Sequence, residues 1–262
     1  MADLLLTGAT GVLGQALRSH LLESGHDVRA ASRSPPADGE GDWIELDLTD
    51  GTGLLAALSD VEVVVHAASN ARGDSEAVDV RGTERLVQAA EGAGIENLLY
   101  VSIVGIDEIP FSYYQHKLAA ERAIESSPVP STIIRSTQFH PFVAAILHPV
   151  SRLPVWPLPT AFKVQPIDPG EAAAAITEHA TVEAAGRVPD IGGPTVMTGR
   201  ELATAYRGHR DLRRPIIRLP LPGGIASAFR AGKATCPDRA VGTVTWEDWL
   251  EAQAGVPGRD AY

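Results

Sequence analysis

The sequence predicts an α/β fold, a doubly wound parallel sheet with a small C-terminal lobe, and three observations carry that prediction. Short apolar runs alternate with amphipathic helical segments through residues 1–140. Several runs are apolar on both faces, Val63-Val64-Val65 among them, as a sheet covered by helices on both sides requires. A glycine-rich turn, Gly8-Ala9-Thr10-Gly11-Val12-Leu13-Gly14, joins the first run to the first helix.

The elements follow in order. Residues 3–7 read as a buried strand ending at glycine. Residues 12–24 place Leu13, Leu17, Leu21 and Leu22 on one helix face, and Gly25 stops that helix. Strands are expected at 27–31, 43–46, 61–67, 97–103 and 131–135, with helices at 54–58, 77–93 and 114–125. The pattern changes after residue 139, where prolines crowd 141–169. Beyond them, Asp168-Pro169-Gly170-Glu171 and Thr198-Gly199-Arg200-Glu201 are capping-box helix starts, and Thr245-Trp246-Glu247-Asp248 opens a last short helix. Residues 1–140 are therefore expected to form the core. Residues 141–262 should form a smaller lobe over the C-terminal ends of the strands that binds substrate, with strands returning to the core sheet as an option.

Composition narrows the function. The 262 residues are 44% hydrophobic and 21% charged, which suits a globular domain with a real core. A net charge of −11 disfavours nucleic acid and anionic membrane as partners. The basic stretch 207–218, with Arg210, Arg213 and Arg214, reads as a solvated or salt-bridged surface. One cysteine, Cys236, reads as a small buried hydrophobe in a reducing compartment. No apolar run reaches a membrane span, and the turn follows Met1-Ala2-Asp3-Leu4 too soon for a signal peptide, so a cytoplasmic location is expected. Few lysines beside many alanines and arginines suggest a GC-rich bacterial source. No cluster of His, Cys or carboxylates has metal-ligand spacing, and oligomeric state stays open.

The glycine turn has the chemistry of a dinucleotide site. Gly8 permits the tight turn, Gly11 lets the backbone approach a pyrophosphate, and Gly14 lets helix pack on strand. The helix N-terminus supplies free N–H groups to the phosphates. An ordinary tight turn is the plainer alternative, and Ala9-Thr10 separate the first two glycines where the common pattern has one residue. The second strand ends in Ser32-Arg33-Ser34, with no acid until Asp38. A guanidinium beside a hydroxyl suits a 2′-phosphate, so NADP is expected over NAD.

Ser102, Tyr113 and Lys117 are the candidate catalytic residues. Tyr113 and Lys117 lie one helical turn apart on one face, and Ser102 is near the end of the fifth strand. A nearby ammonium lowers a phenol's pKa toward working pH, and a serine steadies a substrate oxygen. Tyr114 is the alternative inward residue, in which case Tyr113 packs. His66 reads as a core or lining histidine rather than a base, and His116 as exposed. His140 and Phe142 are candidates to touch substrate. Phe139, Phe142, Trp156 and Phe162 either line an apolar pocket or pack a core.

Residues 1–140 resemble the atypical short-chain dehydrogenase/reductase superfamily, in its NmrA-like, NAD(P)H-binding branch. The resemblance is carried by residues 7–14, Asp47-Leu48, His66-Ala67-Ala68-Ser69, Gly82-Thr83, Val101-Ser102, Tyr113 to Lys117, and Arg135-Ser136-Thr137-Gln138-Phe139. Gln165-Pro166-Ile167-Asp168 and Gly192-Gly193-Pro194 are similar more loosely. It implies a Rossmann core in which Gly8, Thr10, Gly11, Val12, Leu13 and Gly14 hold the pyrophosphate, with Ser32 and Arg33 at the ribose. It also implies Asp47 and Leu48 beside the adenine, Ala67, Ala68 and Ser69 along the cofactor, and Lys117 on the nicotinamide ribose. Thr137, Gln138 and Phe139 would approach the nicotinamide. This branch often loses the tyrosine, and Tyr113 departs from that by being present. The expected activity is NADPH-dependent hydride transfer to an apolar small-molecule carbonyl, quinone or enone. The alternatives are an NADP(H)-binding redox sensor without turnover, and an epimerase or dehydratase that recycles its cofactor.

Overall fold

The computed structural model describes residues 2–37 and 39–253, so Asp38, the first acid beyond the second strand, lies outside the described residues. In chain order the elements are β1 Asp3–Thr7, α1 Val12–Glu23, β2 Asp27–Ser32, β3 Asp42–Glu45, α2 Leu54–Ala57, β4 Val63–His66, a π-helical segment Glu76–Gly82, α3 Thr83–Ala93, β5 Asn97–Ile103, α4 Ser112–Glu125 and β6 Ser131–Ser136. Then come α5 His140–Ser151, β7 Trp156–Leu158, β8 Lys163–Val164, α6 Pro169–Thr177, β9 Gly186–Arg187, β10 Met197–Thr198, α7 Gly199–His209, β11 Ile216–Arg218, α8 Gly224–Ala231 and α9 Trp246–Gln253.

The chain forms two compact units that interleave in sequence. The first comprises residues up to Ile103 with Phe111–Arg135 and Ala173–Pro189, and the second comprises Val104–Pro110, Ser136–Ala172 and the chain from Asp190 on. A cut at residue 140 separates them only approximately, because 173–189 returns to the first unit and supplies β9.

The first unit is a seven-stranded parallel sheet in the order β3-β2-β1-β4-β5-β6-β9, the Rossmann-like arrangement expected. Leu4, Leu5 and Leu6 of β1 pair with Val28, Arg29 and Ala30 on one side and with Val63, Val64 and Val65 on the other. Strand order reverses between β1 and β4, and in such sheets the crevice for ligands opens there, at the carboxyl ends. One face is sealed by Leu86, Val87 and Ala90 of α3 with Ala120 and Ile124 of α4, packed on Leu5, Val64, Leu98 and Ile133. On α1, Leu13, Leu17 and Leu21 are buried, whereas Leu22 is 44% exposed and lies off the expected face. The helix expected at 77–93 begins instead as a π-helical segment and becomes α-helical only at Thr83.

The second unit is built from short elements around aromatic rings. Its core joins Val143 and Leu147 of α5 to Trp156, Leu158, Leu202, Tyr206, Trp246, Trp249 and Leu250. α5 is a helix that the proline count obscures: Pro141 occupies the first turn, where no backbone N–H is needed, and Pro149 lies in the last. The capping box of α7 forms, with Thr198 and Glu201 bonding each other's backbone N–H. Asp168 caps α6 from its side chain. The Glu171 carboxylate accepts from Thr243 and Val244. Gln165 donates to Gly193 O and accepts from Cys236 N, both at 2.7 Å. A Cβ on Gly193 would lie 1.7 Å from Pro166 O, which is why the two loosely familial segments need glycine there. Two arginines of 207–218 hold backbone carbonyls: Arg214 donates to Ser151 O and Leu153 O, and Arg207 to Arg214 O. No helix among the described residues is long and apolar enough to cross a membrane.

Candidate functional site

An open cleft of about 580 Å³ lies in the first unit, at the carboxyl ends of β1 to β4. Thr7, Gly8, Thr10 and Gly11 line it after β1, and Ala31, Ser32, Arg33 and Ser34 at the end of β2. Leu46, Asp47, Leu48 and Thr49 follow β3, while Ala67, Ala68, Ser69 and Asn70 follow β4. Ten of the residues expected to touch a dinucleotide thus share one cleft: Gly8, Thr10, Gly11, Ser32, Arg33, Asp47, Leu48, Ala67, Ala68 and Ser69. Val12, Leu13 and Gly14 form the start of α1 behind it.

The turn is shaped by what glycine lacks. Gly8 has φ +72°, and a Cβ there would lie 2.7 Å from the backbone of Ala68. At Gly14 a Cβ would lie 2.0 Å from Gly8 O, so helix and turn close only on a bare backbone. Gly11 is exposed, and no side chain caps α1, which leaves the first-turn N–H groups for an anion. Arg33 is exposed on the rim. Asp47 is fixed by its own turn: Thr49 donates to Oδ1 from N at 2.8 Å and from Oγ1 at 2.7 Å.

Ser69 links the cleft to a buried polar cluster. Its Oγ donates to Asp79 Oδ1 at 2.6 Å and lies 2.7 Å from the Tyr113 hydroxyl. Asp79, in the π-helical segment, is 1% exposed and also accepts from Asn70 N. Lys117 Nζ is 3.9 Å from Asp79 Oδ1, donates to Val101 O at 2.9 Å, and lies over the Tyr100 ring. Burial lowers the Lys117 pKa, against the pull of Asp79 and then Glu121. Burial likewise drives the Tyr100 hydroxyl well above its ordinary value, helped by the negative charge of Asp79. Glu121 and Arg135 form a buried two-pronged ion pair, at 2.8 and 2.6 Å.

Of the three expected catalytic residues, Tyr113 and Lys117 reach this cluster. Ser102 does not: its Oγ is buried with no hydrogen-bond partner. Between the two tyrosines, Tyr114 is buried, whereas Tyr113 is half-buried and holds Ser69. Asp79 escaped the sequence reading because an acid in the first turn of a helix ordinarily faces water. Its flanking valines, Val78 and Val80, were the available signal.

Three histidines, His66, His116 and His140, are engaged by neighbouring side chains or backbone. His66 is fully buried between Thr7 Oγ1 at 2.7 Å and Thr83 Oγ1 at 3.0 Å. Burial, then the charge of Lys117, pushes its pKa down to about 3, so it is neutral. His116 is half-buried against Ser75 Oγ at 2.8 Å rather than exposed. His140 is a correction to its candidacy for substrate contact. It is fully buried in the second unit, donates to Val244 O, and lies against Trp246 and Trp249. Trp156 is core as well, and Phe162 stacks on Phe229. Thr137, Gln138 and Phe139 belong to the second unit, where Thr137 N donates to Ile191 O and Gln138 O accepts from Ile167 N. Burial raises the Cys236 thiol to about 12, which favours the protonated thiol at neutral pH.

A family described as NAD(P)H-binding matches residues 8–141, just over half of the chain. The chain belongs to the NAD(P)H-binding family. This agrees with the resemblance to atypical short-chain dehydrogenases and reductases. Among curated proteins, it is 31% identical over 156 residues to a 3 beta-hydroxysteroid dehydrogenase/Delta 5-->4-isomerase of Mycobacterium tuberculosis, covering 47% of this chain and 42% of that one. It is 34% identical over 149 residues to a 2-alkyl-3-oxoalkanoate reductase of Stenotrophomonas maltophilia, covering 48% and 45%. The matches thus span less than half the length of these relatives. The fold matches that of an NADPH-dependent quinone oxidoreductase of Escherichia coli solved with NADPH, with a TM-score of 0.79, 19% identity, and coverage of 95% of this chain and 99% of that one. It also matches a nucleoside-diphosphate-sugar epimerase of Staphylococcus aureus, with a TM-score of 0.77, 15% identity, and coverage of 95% and 99%.

Proposed function

We propose that this NAD(P)H-binding protein is an NADPH-dependent oxidoreductase that reduces an apolar small-molecule carbonyl, with quinones and enones as the neighbouring substrate classes. One observation carries the reading: Ser69 lines the glycine-loop cleft and also holds the hydroxyl of Tyr113, so a titratable O–H stands at the edge of the candidate cofactor cleft. The residues fit a dinucleotide, because the cradle between Gly8 and Gly14 is one that a Cβ would fill. The exposed guanidinium of Arg33, beside Ser32 and Ser34, supports a 2′-phosphate and hence NADP over NAD. The names of the two curated relatives, a hydroxysteroid dehydrogenase and an oxoalkanoate reductase, support a carbonyl on an apolar skeleton. The lone thiol fits a reducing cytoplasm.

When bound, the cofactor would supply a hydride to the substrate carbon. Tyr113 would give its proton to the substrate oxygen, and Lys117 would anchor the cofactor ribose from its seat on Val101 O. The test is NADPH consumption over a panel of ketones, quinones and enones, with Tyr113→Phe alongside. A fall of about 10²-fold or more in the variant supports a tyrosine acid, within the range such groups contribute. Unchanged turnover in the variant removes Tyr113 from the reaction.

A further inference from the structure

We propose that Ser69 and Asp79 together hold the phenolic proton on Tyr113, so that the resting site is set as a proton donor, poised for reduction rather than oxidation. The inference rests on the reading of Tyr113 as the donor.

The count of hydrogens decides which group donates. Asp79 is an acceptor, so the 2.6 Å contact with Ser69 Oγ commits the one hydrogen that Ser69 has. The 2.7 Å contact between Ser69 and Tyr113 must then be made by the tyrosine's own hydrogen. A phenolate would lose that bond and face a carboxylate across a single hydroxyl. Hydrogen bonding that favours the neutral form, and a like charge nearby, both disfavour ionisation.

The surrounding charges do not reverse this. Lys117 Nζ lies 3.9 Å from Asp79, is bound to Val101 O and lies over the Tyr100 ring, so its charge offsets the carboxylate. Tyr100 stays neutral through burial. Glu121 is matched by Arg135, and on the π-helical segment Arg81 is matched by Glu76 and Asp74. His66 is neutral, and His116 is engaged by Ser75. Ser102 makes no bond to the cluster. The hydroxyl that governs Tyr113 is therefore Ser69, after β4, and not the serine of β5.

The ionisation of Tyr113 tests this directly. It is followed in the full chain by near-ultraviolet difference absorbance referenced to Tyr113→Phe, with no substrate required. Ser69→Ala removes an exposed hydroxyl, and we expect it to lower the midpoint by about one pH unit, the scale of one lost hydrogen bond to the neutral form. Asp79→Asn should lower it too. The double variant should move it by less than the sum of the two single changes, because the two residues are links of one chain. The alkaline limb of NADPH consumption should move with the midpoint, which a merely structural role for Ser69 would leave in place. An unmoved midpoint in folded Ser69→Ala overturns the proposal, as does full additivity in the double variant. A shifted midpoint in a chain that consumes no NADPH with any substrate keeps the proton-holding role and overturns the reductase reading instead.

Discussion

The two units solve burial in opposite ways. The first puts charge inside: Lys117, Asp79, Glu121 and Arg135 are each 3% exposed or less, and each is matched by a partner. The second puts rings inside: Trp156, Trp246, Trp249, Tyr206 and His140 stack on one another with no ion pair among them. Buried charges cost more to assemble than packed rings, and their retention is weak evidence for stability. In the first unit, the Ser69–Asp79–Lys117 cluster places part of that polar interior beside the cleft.

Substitution should separate the two regimes. Glu121→Ala leaves Arg135 buried without its partner and should cost about 3–5 kcal/mol in denaturant unfolding, while replacing both by apolar residues of similar size should restore most of it. Trp246→Ala should cost a similar amount, about 3–5 kcal/mol, but through lost volume, so no second charge change rescues it. A rescue pattern shared by both sites would erase the contrast.

Acid sharpens it next. An unfolded chain protonates His66 below its ordinary value of 6.5, whereas the folded chain does so only near 3. The unfolded state thus binds more protons across that window, and stability should fall by about 1.4 kcal/mol per pH unit as pH drops from 6.5 toward 3, with no contribution above it. His66→Gln should flatten that slope in urea midpoints measured against pH. A slope unchanged by the substitution would place the acid sensitivity elsewhere. The smallest effect is at the rim. Arg33→Ala should weaken NADPH binding about tenfold, roughly 1.4 kcal/mol, and leave NADH binding unchanged. Equal loss for both cofactors would make Arg33 a general anion contact.

The contrast between the units also explains what was legible in the sequence. The first unit was readable because its strands and helices are long enough to show their periods, and β1 and β5 fall at the residues expected. Gly8 and Gly14 announced the turn because their geometry tolerates nothing else. The second unit was less readable: β8 and β10 are two-residue strands, too short for any period, and Pro149 disguised α5 as irregular chain. Within the candidate site, Tyr113 and Lys117 were visible through their helical spacing. Asp79 was not, because an acid in the first turn of a helix expected over 77–93 ordinarily faces water, whereas here it is buried in a π-helical segment. Ser69 was expected along the cofactor and Ser102 at the substrate oxygen, and position after a strand does not reveal which hydroxyl meets the phenol.

The proposed reaction moves a hydride from a nicotinamide to a small apolar carbonyl. The direct measurement is isotopic: NADPH deuterated at either face of C4 is supplied with a carbonyl substrate from the panel, and the product is weighed by mass spectrometry. The account predicts one deuterium in the product from one of the two labelled cofactors. Cofactor that binds tightly but never delivers its label to any product would contradict it.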